Sequence, residues 1–290
     1  MRFRPYISKD ENAFLFETEE KSMQKIIFIG AGSMAEALIH GWVEHHVVKP
    51  EAIYISNRSN IERLTELSTK YGVQILTSFK ELHDADLIIL AMKPKDSYEA
   101  MQKMATYIGK DTAILSILAG VSMDTIAEHL GTRPIARVMP NTSATIGMAA
   151  SGIAFNNHVS KLQQVIYFQM LEAIGIVIEV EEEKLHAVTA LSGSGPAYLY
   201  YLIEAFERVG VEFGLSKEIV RKLMVQTIAG SAQMLQIVKE EPEVLRKKVT
   251  SPGGTTEAGI RELEAMAFKE AIANCIRSAE NRSRELARGE

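Results

Sequence analysis

The sequence predicts an α/β chain in two parts: an N-terminal doubly wound parallel sheet and, after about residue 181, a wholly helical remainder. Three observations carry that expectation. The apolar, β-branched run Ile26-Ile27-Phe28-Ile29 is followed at once by glycines and then by apolar residues at helical spacing. Short apolar runs and helical segments then alternate through the first half, the pattern of parallel strands joined by crossovers. From about Glu181 onward no stretch reads as a strand.

The first strand runs into Gly30-Ala31-Gly32-Ser33-Met34-Ala35, a GxGxxA spacing, and a helix continues through Trp42. Gly30 makes a tight turn, Gly32 lets the backbone approach a pyrophosphate, and Ala35 lets the helix pack close to the strand. The phosphates would sit on the N–H groups of the helix N-terminus. After a strand, before a helix and at the head of a βαβ pattern, this spacing reads as a dinucleotide-binding turn.

Residues 52–56 are expected as the second strand, 61–70 as the second helix, 73–76 as a short third strand and 78–83 as a short helical segment. A strongly apolar fourth strand follows over 87–90, then a helix over 97–107, a strand over 113–117, a helix over 124–129 and a strand over 134–139. Residues 152–155 and 175–180 read as further strands flanking a helix over 161–173. In the helical half, residues 197–206 are apolar on nearly every face, which predicts a helix buried all round. Leu223, Ile228, Ala229, Ala232, Leu235 and Val238 form a second apolar stripe, with Gly230 and Ser231 permitting close approach. Such a half could fold alone or pack against a copy of itself.

Composition narrows the partners. A net charge of −5 provides no basic footprint for nucleic acid or an anionic membrane surface. No apolar run approaches membrane-spanning length. Cys275 is the single cysteine, so no disulfide forms within the chain, and a reducing, cytoplasmic setting is expected. Residues 1–22 lack the apolar core and cleavage site of a signal peptide and carry Asp10, Glu11, Glu17, Glu19 and Glu20. They read as a leader, poorly ordered or docked locally, with Met23 the functional beginning. The seven histidines are scattered, and the neighbours His45 and His46 would point apart on a helix, so no metal site is expected.

The second strand ends Ser56-Asn57-Arg58-Ser59, without the acid that grips a ribose 2′-hydroxyl in NAD-binding sheets. Arg58 offers instead a planar cation suited to a 2′-phosphate, with Ser56, Asn57 and Ser59 as neutral donors. NADPH is therefore expected over NADH, with NADH use left open. Ligands of doubly wound sheets bind outside the carboxyl ends of the strands. Three such ends carry unusual residues: Ala91-Met92-Lys93-Pro94, Leu118-Ala119-Gly120 and Met139-Pro140-Asn141-Thr142. Lys93 reads equally as a phosphate partner and as an exposed lysine. Asn141 and Thr142 read equally as partners of a nicotinamide carboxamide and as ordinary loop caps.

Two glycine-rich stretches lie in the helical half. In Leu191-Ser192-Gly193-Ser194-Gly195-Pro196-Ala197-Tyr198, Pro196 suits the first turn of a helix. In Ser251-Pro252-Gly253-Gly254-Thr255-Thr256, a glycine turn enters a helix, an arrangement that binds anions, and the hydroxyls of Ser251, Thr255 and Thr256 add donors.

Together FIGAGSMAEALIHG, LAMKP, LAGVS, RVMPNTSATIG, LSGSGPAY and VTSPGGTTEAGIRELE, in this order and spacing, resemble the pyrroline-5-carboxylate reductase family from about Met23 to Arg288. The resemblance implies an NAD(P)H-dependent imine reductase of the last step of proline biosynthesis, which turns 1-pyrroline-5-carboxylate into L-proline. It implies a Rossmann domain over 23–181 and a helical dimerisation and substrate-binding domain over 182–290, intertwined with a second subunit, with a ring of dimers left open. The active site would lie between the cofactor turn of one subunit and the SPGGTT loop at the dimer interface. On that mapping Thr256 sits against the imine nitrogen as the catalytic contact, and Ser251, Gly253, Gly254 and Thr255 complete the substrate site. The same mapping implies that Gly30, Ala31, Gly32, Ser33, Met34, Ala35, Ser56, Arg58, Ser78, Ala91, Met92, Lys93 and Pro94 line the cofactor. Asn57, Ala119, Gly120 and Asn141 join them as candidates from the position of their loops. A β-hydroxyacid dehydrogenase would carry a helix lysine near the start of its second domain, and none occurs from His186 through Val209. The intact SPGGTT loop argues against a late-competence-type relative without the activity, while a non-catalytic NADPH sensor that dimerises and binds protein partners is left to direct assay.

Overall fold

The structure, a computed structural model, describes residues 23–288; the leader expected over 1–22 lies outside them. The chain divides into two compact units, one ending at Leu185 and the next beginning at His186.

The first unit is built on β1 (Ile26–Ile29), β2 (Ile53–Ser56), β3 (Gln74–Ile75), β4 (Leu87–Leu90), β5 (Ala113–Ser116), β6 (Ile135–Met139), β7 (Ala149–Phe155) and β8 (Gly175–Glu179). They form one sheet in the order β3-β2-β1-β4-β5-β6-β7-β8. The helices are α1 (Ser33–Glu44), α2 (Ile61–Tyr71), α3 (Ser97–Met104), α4 (Met123–Leu130) and α5 (Lys161–Glu172). Each expected strand and helix is present, with ends shifted by a few residues where capping decides them. Asn60 caps α2 by accepting from Arg63 N–H, and Gly72 ends it in the left-handed region. The third strand shrinks to two residues, and the segment after Ser78 is a 3-10 turn, Phe79–Leu82.

The all-apolar strands are explained by cover on both faces. Ile26 and Phe28 belong to a core shared with α1, α2 and α5, whereas Ile27 and Ile29 belong to a core shared with α3 and α4. Trp42 of α1 is fully buried against Phe28, with its indole N–H donated to the Met170 carbonyl at 2.7 Å.

The sheet departs from the expected all-parallel pattern at one junction, β6–β7, beyond which β7 and β8 both run opposite to β1–β6. β7 runs antiparallel to β6, Ala136 facing Phe155, and parallel to β8. Only a 3-10 turn, Thr142–Ile146, joins β6 to β7, and that is too short for the crossover a parallel pair requires. A smaller correction concerns His45 and His46. α1 ends at Glu44 and His46 has a positive φ, so the pair lies in the exposed turn beyond the helix.

The second unit contains no strand among the described residues. After a short helix at the junction of the units, α6 (Leu185–Val188), and a π-helical turn, Thr189–Gly193, come α7 (Gly195–Glu212), α8 (Lys217–Val238), α9 (Pro242–Lys248), α10 (Thr255–Ala265) and α11 (Phe268–Arg288). Pro196 stands in the first turn of α7, as expected. α7 and α8 pack as a hairpin, where Gly210 lets Val220 approach and Glu207 is ion-paired to Lys217 and Arg221. The expectation that residues 197–206 are buried all round fails within one chain. Tyr200 is 61% exposed and Tyr201 76%, and Glu207 is the only buried residue of α7. Leu223, Leu235 and Val238 of α8 are exposed as well. A helix apolar on most faces has more surface than one neighbouring helix can cover.

Candidate active site

The strand order reverses about β1, whose neighbours are β2 and β4. Register brings their carboxyl ends level: Ile29 pairs with Ser56 on one side and Leu90 on the other. The segments after β1, β2 and β4 therefore emerge side by side, at the point where such sheets bind ligands.

Gly30 is required there on two counts. Its φ is +110°, and a Cβ would stand 2.5 Å from the Ala91 carbonyl carbon. Its N–H donates to the Ser56 carbonyl at 3.1 Å, and Ala91 N–H donates to Ile29 at 2.9 Å, so three strand ends are stitched together. Gly32 is different: it is extended, and a Cβ there would meet nothing within 4 Å. It is the N-cap of α1 and supplies no side-chain cap, so the first N–H groups of a twelve-residue helix face open space.

These segments enclose a cleft of about 650 Å³. Of the expected cofactor residues it is lined by Gly30, Ala31 and Gly32 from the first segment, Ser56, Asn57 and Arg58 from the second, and Ala91, Met92 and Lys93 from the third. An uncapped helix end, an open Gly32 and a cation at the β2 end suit a phosphorylated dinucleotide, and the volume suits a ligand of that class.

The other expected cofactor residues do not line this cleft. Ala35 is buried beneath the turn, and Ser33 and Met34 stand on α1. Ser78 is engaged in a capping box with Glu81. Pro94 opens a 3-10 turn, Pro94–Asp96. Ala119 and Gly120 lie in the β5–α4 connection, where Gly120 has a positive φ. Asn141 is buried, and its side-chain oxygen accepts from Ala150 N–H at 3.4 Å.

Sequence reasoning missed the cleft's other wall: Phe79, Lys95, Asp96, Glu99, Ala100 and Lys103. Asp96 and Glu99 both face Arg58, at 3.3 Å and 3.5 Å. Lys103 bonds Glu99 at 2.6 Å, and this bond with the Arg58 charge holds the Glu99 carboxyl below its usual range. The only signal was that residues 96, 99 and 103 recur at helical spacing just beyond Pro94, as they would on any solvated face.

The SPGGTT segment of the second unit forms its own compact turn. Gly254 N–H donates to the Ser251 carbonyl at 3.0 Å, and Gly253 has a φ of +70°. Gly254 is the N-cap of α10, again without a side-chain cap, so Thr255 and Thr256 occupy the first two helical positions, both exposed. Gly253 N–H donates to Glu257 Oε2 at 2.8 Å, which shows a carboxylate oxygen already satisfied by this turn.

Comparison with known proteins agrees with both halves. Residues 25–120 match a family model described as NADP oxidoreductase coenzyme F420-dependent, and residues 182–286 match one described as pyrroline-5-carboxylate reductase dimerisation. The chain is 47% identical to pyrroline-5-carboxylate reductase 2 of Bacillus subtilis over 91% of its own length and 95% of that protein's. The chain belongs to the pyrroline-5-carboxylate reductase family. Solved structures of the family agree. The Coxiella burnetii pyrroline-5-carboxylate reductase superposes with a TM-score of 0.84 at 33% identity, covering 91% of this chain and 99% of that one. The Plasmodium falciparum pyrroline carboxylate reductase, solved with NADP bound, gives 0.81 at 28% identity over 92% and 100%. The exposed apolar faces of α7 and α8 fall inside the segment that matches the dimerisation model, which accounts for their lack of cover within one chain. Among the described residues no helix is long and apolar enough to cross a membrane, and no cluster of side chains is suited to hold a metal ion.

Proposed function

We propose that this chain reduces the C=N bond of 1-pyrroline-5-carboxylate to give L-proline, with NADPH preferred to NADH, in the last step of proline biosynthesis. The observation that carries the reading is the presence in one chain of two uncapped glycine turns of different build. One opens α1 beside a 2′-phosphate-compatible arginine; the other opens α10 with adjacent hydroxyls.

The backbone N–H groups from Gly32 to Ala35 hold the pyrophosphate, Arg58 with Asn57 holds the 2′-phosphate, and Ala91 to Lys93 flank the nucleotide. The Ser56 hydroxyl donates to the Phe28 carbonyl at 3.0 Å and so lines the site without serving as a phosphate donor. Bound there, the cofactor supplies a hydride for the ring carbon of the imine. Ser251, Gly254 and Thr255 orient the substrate carboxylate, with Gly253 shaping the turn, and Thr256 places its hydroxyl at the ring nitrogen. A protonated imine is already strongly electrophilic, so holding the two reactants in register supplies much of the rate enhancement. The product amine keeps its hydrogen bond to Thr256.

The active form is a homodimer through the helical unit, with a ring of dimers as a further level of assembly to be read by light scattering. The single cysteine suits a reducing, cytoplasmic setting. The deciding experiment follows NADPH oxidation with pyrroline-5-carboxylate, with a panel of 2- and 3-hydroxyacids in the reverse direction, and with no substrate. Turnover with the imine alone is expected. Nucleotide binding without turnover would identify a sensor, and oxidation of a hydroxyacid would assign the chain to a different reaction.

A further inference from the structure

Arg63, on α2, is wired to the dinucleotide turn and to the first turn of α1. Its Nε donates to the Ala31 carbonyl at 3.3 Å, one Nη donates to Glu36, and the other to Glu66 at 2.8 Å. Glu36 lies four residues after Gly32, and its N–H donates to the Gly32 carbonyl at 3.0 Å. Its second carboxylate oxygen accepts from Lys70 Nζ at 2.9 Å and from the Tyr71 hydroxyl at 3.0 Å. Residues 63, 70 and 71 recur two helical turns apart, so one face of α2 grips the start of α1. Both Arg63 and Glu36 are largely buried there.

An acid in a first helical turn is favourable by itself, but here the same helix end is the seat of an anion. Glu36 stays charged. Burial pushes its carboxyl up, yet the donors from Lys70, Arg63 and Tyr71 outweigh this and bring it to about 2. Its charge must therefore be cancelled by cations if the turn is to accept a pyrophosphate. Lys70 is more exposed than Arg63 and does not touch the turn; Arg63 does both tasks.

We propose that Arg63 is a positioning residue for the nucleotide: it cancels the Glu36 charge and ties the Ala31 carbonyl to α2, leaving the turn's N–H groups to the pyrophosphate. The inference rests on the dinucleotide-turn reading. Because both cofactors carry the same pyrophosphate, Arg63 acts equally on NADPH and NADH, unlike Arg58.

The test titrates NADPH and NADH into the assembled enzyme, following nucleotide fluorescence, for Arg63→Leu, Glu36→Gln and the double variant, with unfolding temperatures alongside. Arg63→Leu should raise Kd about tenfold for both nucleotides, with kcat at saturation within about twofold of wild type. Adding Glu36→Gln should recover about threefold or more of that loss, which a purely structural strut would not allow. An unchanged Kd, a loss confined to NADPH, or a loss that Glu36→Gln leaves untouched would each overturn the proposal. If Arg63→Leu does not fold, Arg63→Lys carries the test. Retained charge should keep both Kd values within about threefold, and a loss of about tenfold would overturn the charge role. Gly32→Val separates the underlying reading, since it fills the open space at the helix end. If it leaves both Kd values unchanged, the dinucleotide turn itself is misassigned.

Discussion

Arg58 Nη1 stands 3.3 Å from Asp96 Oδ1, with Glu99 Oε2 only slightly farther at 3.5 Å, on the rim of the nucleotide cleft. The guanidinium side chain is 69% exposed, so this ion pair adds little to stability. A weakly held cation can exchange carboxylates for a 2′-phosphate at small cost.

Opposite effects follow from the two sides of that pair. Arg58→Ala removes a charge-assisted contact worth roughly 1.5–3 kcal/mol, so KM for NADPH should rise about tenfold or more while KM for NADH barely changes. Asp96→Asn frees Arg58 and removes a like charge facing the phosphate. KM for NADPH should fall about two- to fivefold, less so at high salt. Equal changes for both nucleotides in either variant would make the pair structural.

What was legible in the sequence follows what hydrophobic pattern encodes. β1, β4 and the GxGxxA turn were readable because full burial demands apolar β-branched runs and the turn demands glycine. The direction of β7 was not, since an apolar strand looks the same either way and only the short link through Thr142–Ile146 forbids a crossover. α7 was misjudged because its composition answers to the assembled protein, leaving Tyr200 and Tyr201 exposed in one chain. The Asp96–Glu99–Lys103 wall was not legible, because charged residues on the expected helix over 97–107 look like any solvated face until the fold sets Asp96 and Glu99 against Arg58. Glu36 likewise looked like an ordinary helix residue until α2 folded over it.

The Glu36 network makes a pH prediction. Its carboxyl is lowered from 4.5 to about 2 in the folded chain. A depressed acid stabilises the fold at pH above its unfolded value, and that contribution fades as pH falls from about 4.5 toward about 2. The stability difference between wild type and Glu36→Gln should be flat from pH 8 to 5, on the order of 1–2 kcal/mol, and should shrink below pH 4.5. Urea melts across that range measure it; a difference independent of pH would mean the charge of Glu36 contributes nothing.

The apolar face of α7 makes an assembly prediction. Tyr201 is the most exposed apolar side chain of residues 197–206 and lies within the segment matching the dimerisation model. Tyr201→Glu places a charge where a dry interface is needed, and an unpaired buried charge costs several kcal/mol. Light scattering should report monomers at micromolar concentration, with kcat/KM at least about tenfold lower. A fully active monomer would sever catalysis from assembly.

The proposed mechanism places the Thr256 hydroxyl at the reacting ring nitrogen. It is the second residue of α10, exposed, directly after a turn whose Gly253 N–H already satisfies a carboxylate oxygen. Thr256→Val keeps the β-branched shape and removes only the hydroxyl, so folding should be little affected. A hydrogen bond to a charged ring nitrogen is worth roughly 1.5–3 kcal/mol, which corresponds to about 10–150-fold in kcat/KM. That is less than the loss of an essential acid would cause, because imine protonated in solution still reaches the site. The pH profile separates two roles. If the hydroxyl relays a proton, the deficit of the variant grows as pH rises and unprotonated imine dominates; if it only orients the ring, the deficit is constant. A variant within about twofold of wild type from pH 6 to 9 would remove Thr256 from the mechanism and leave the carboxylate-binding turn and the nucleotide cleft to align the reactants unaided.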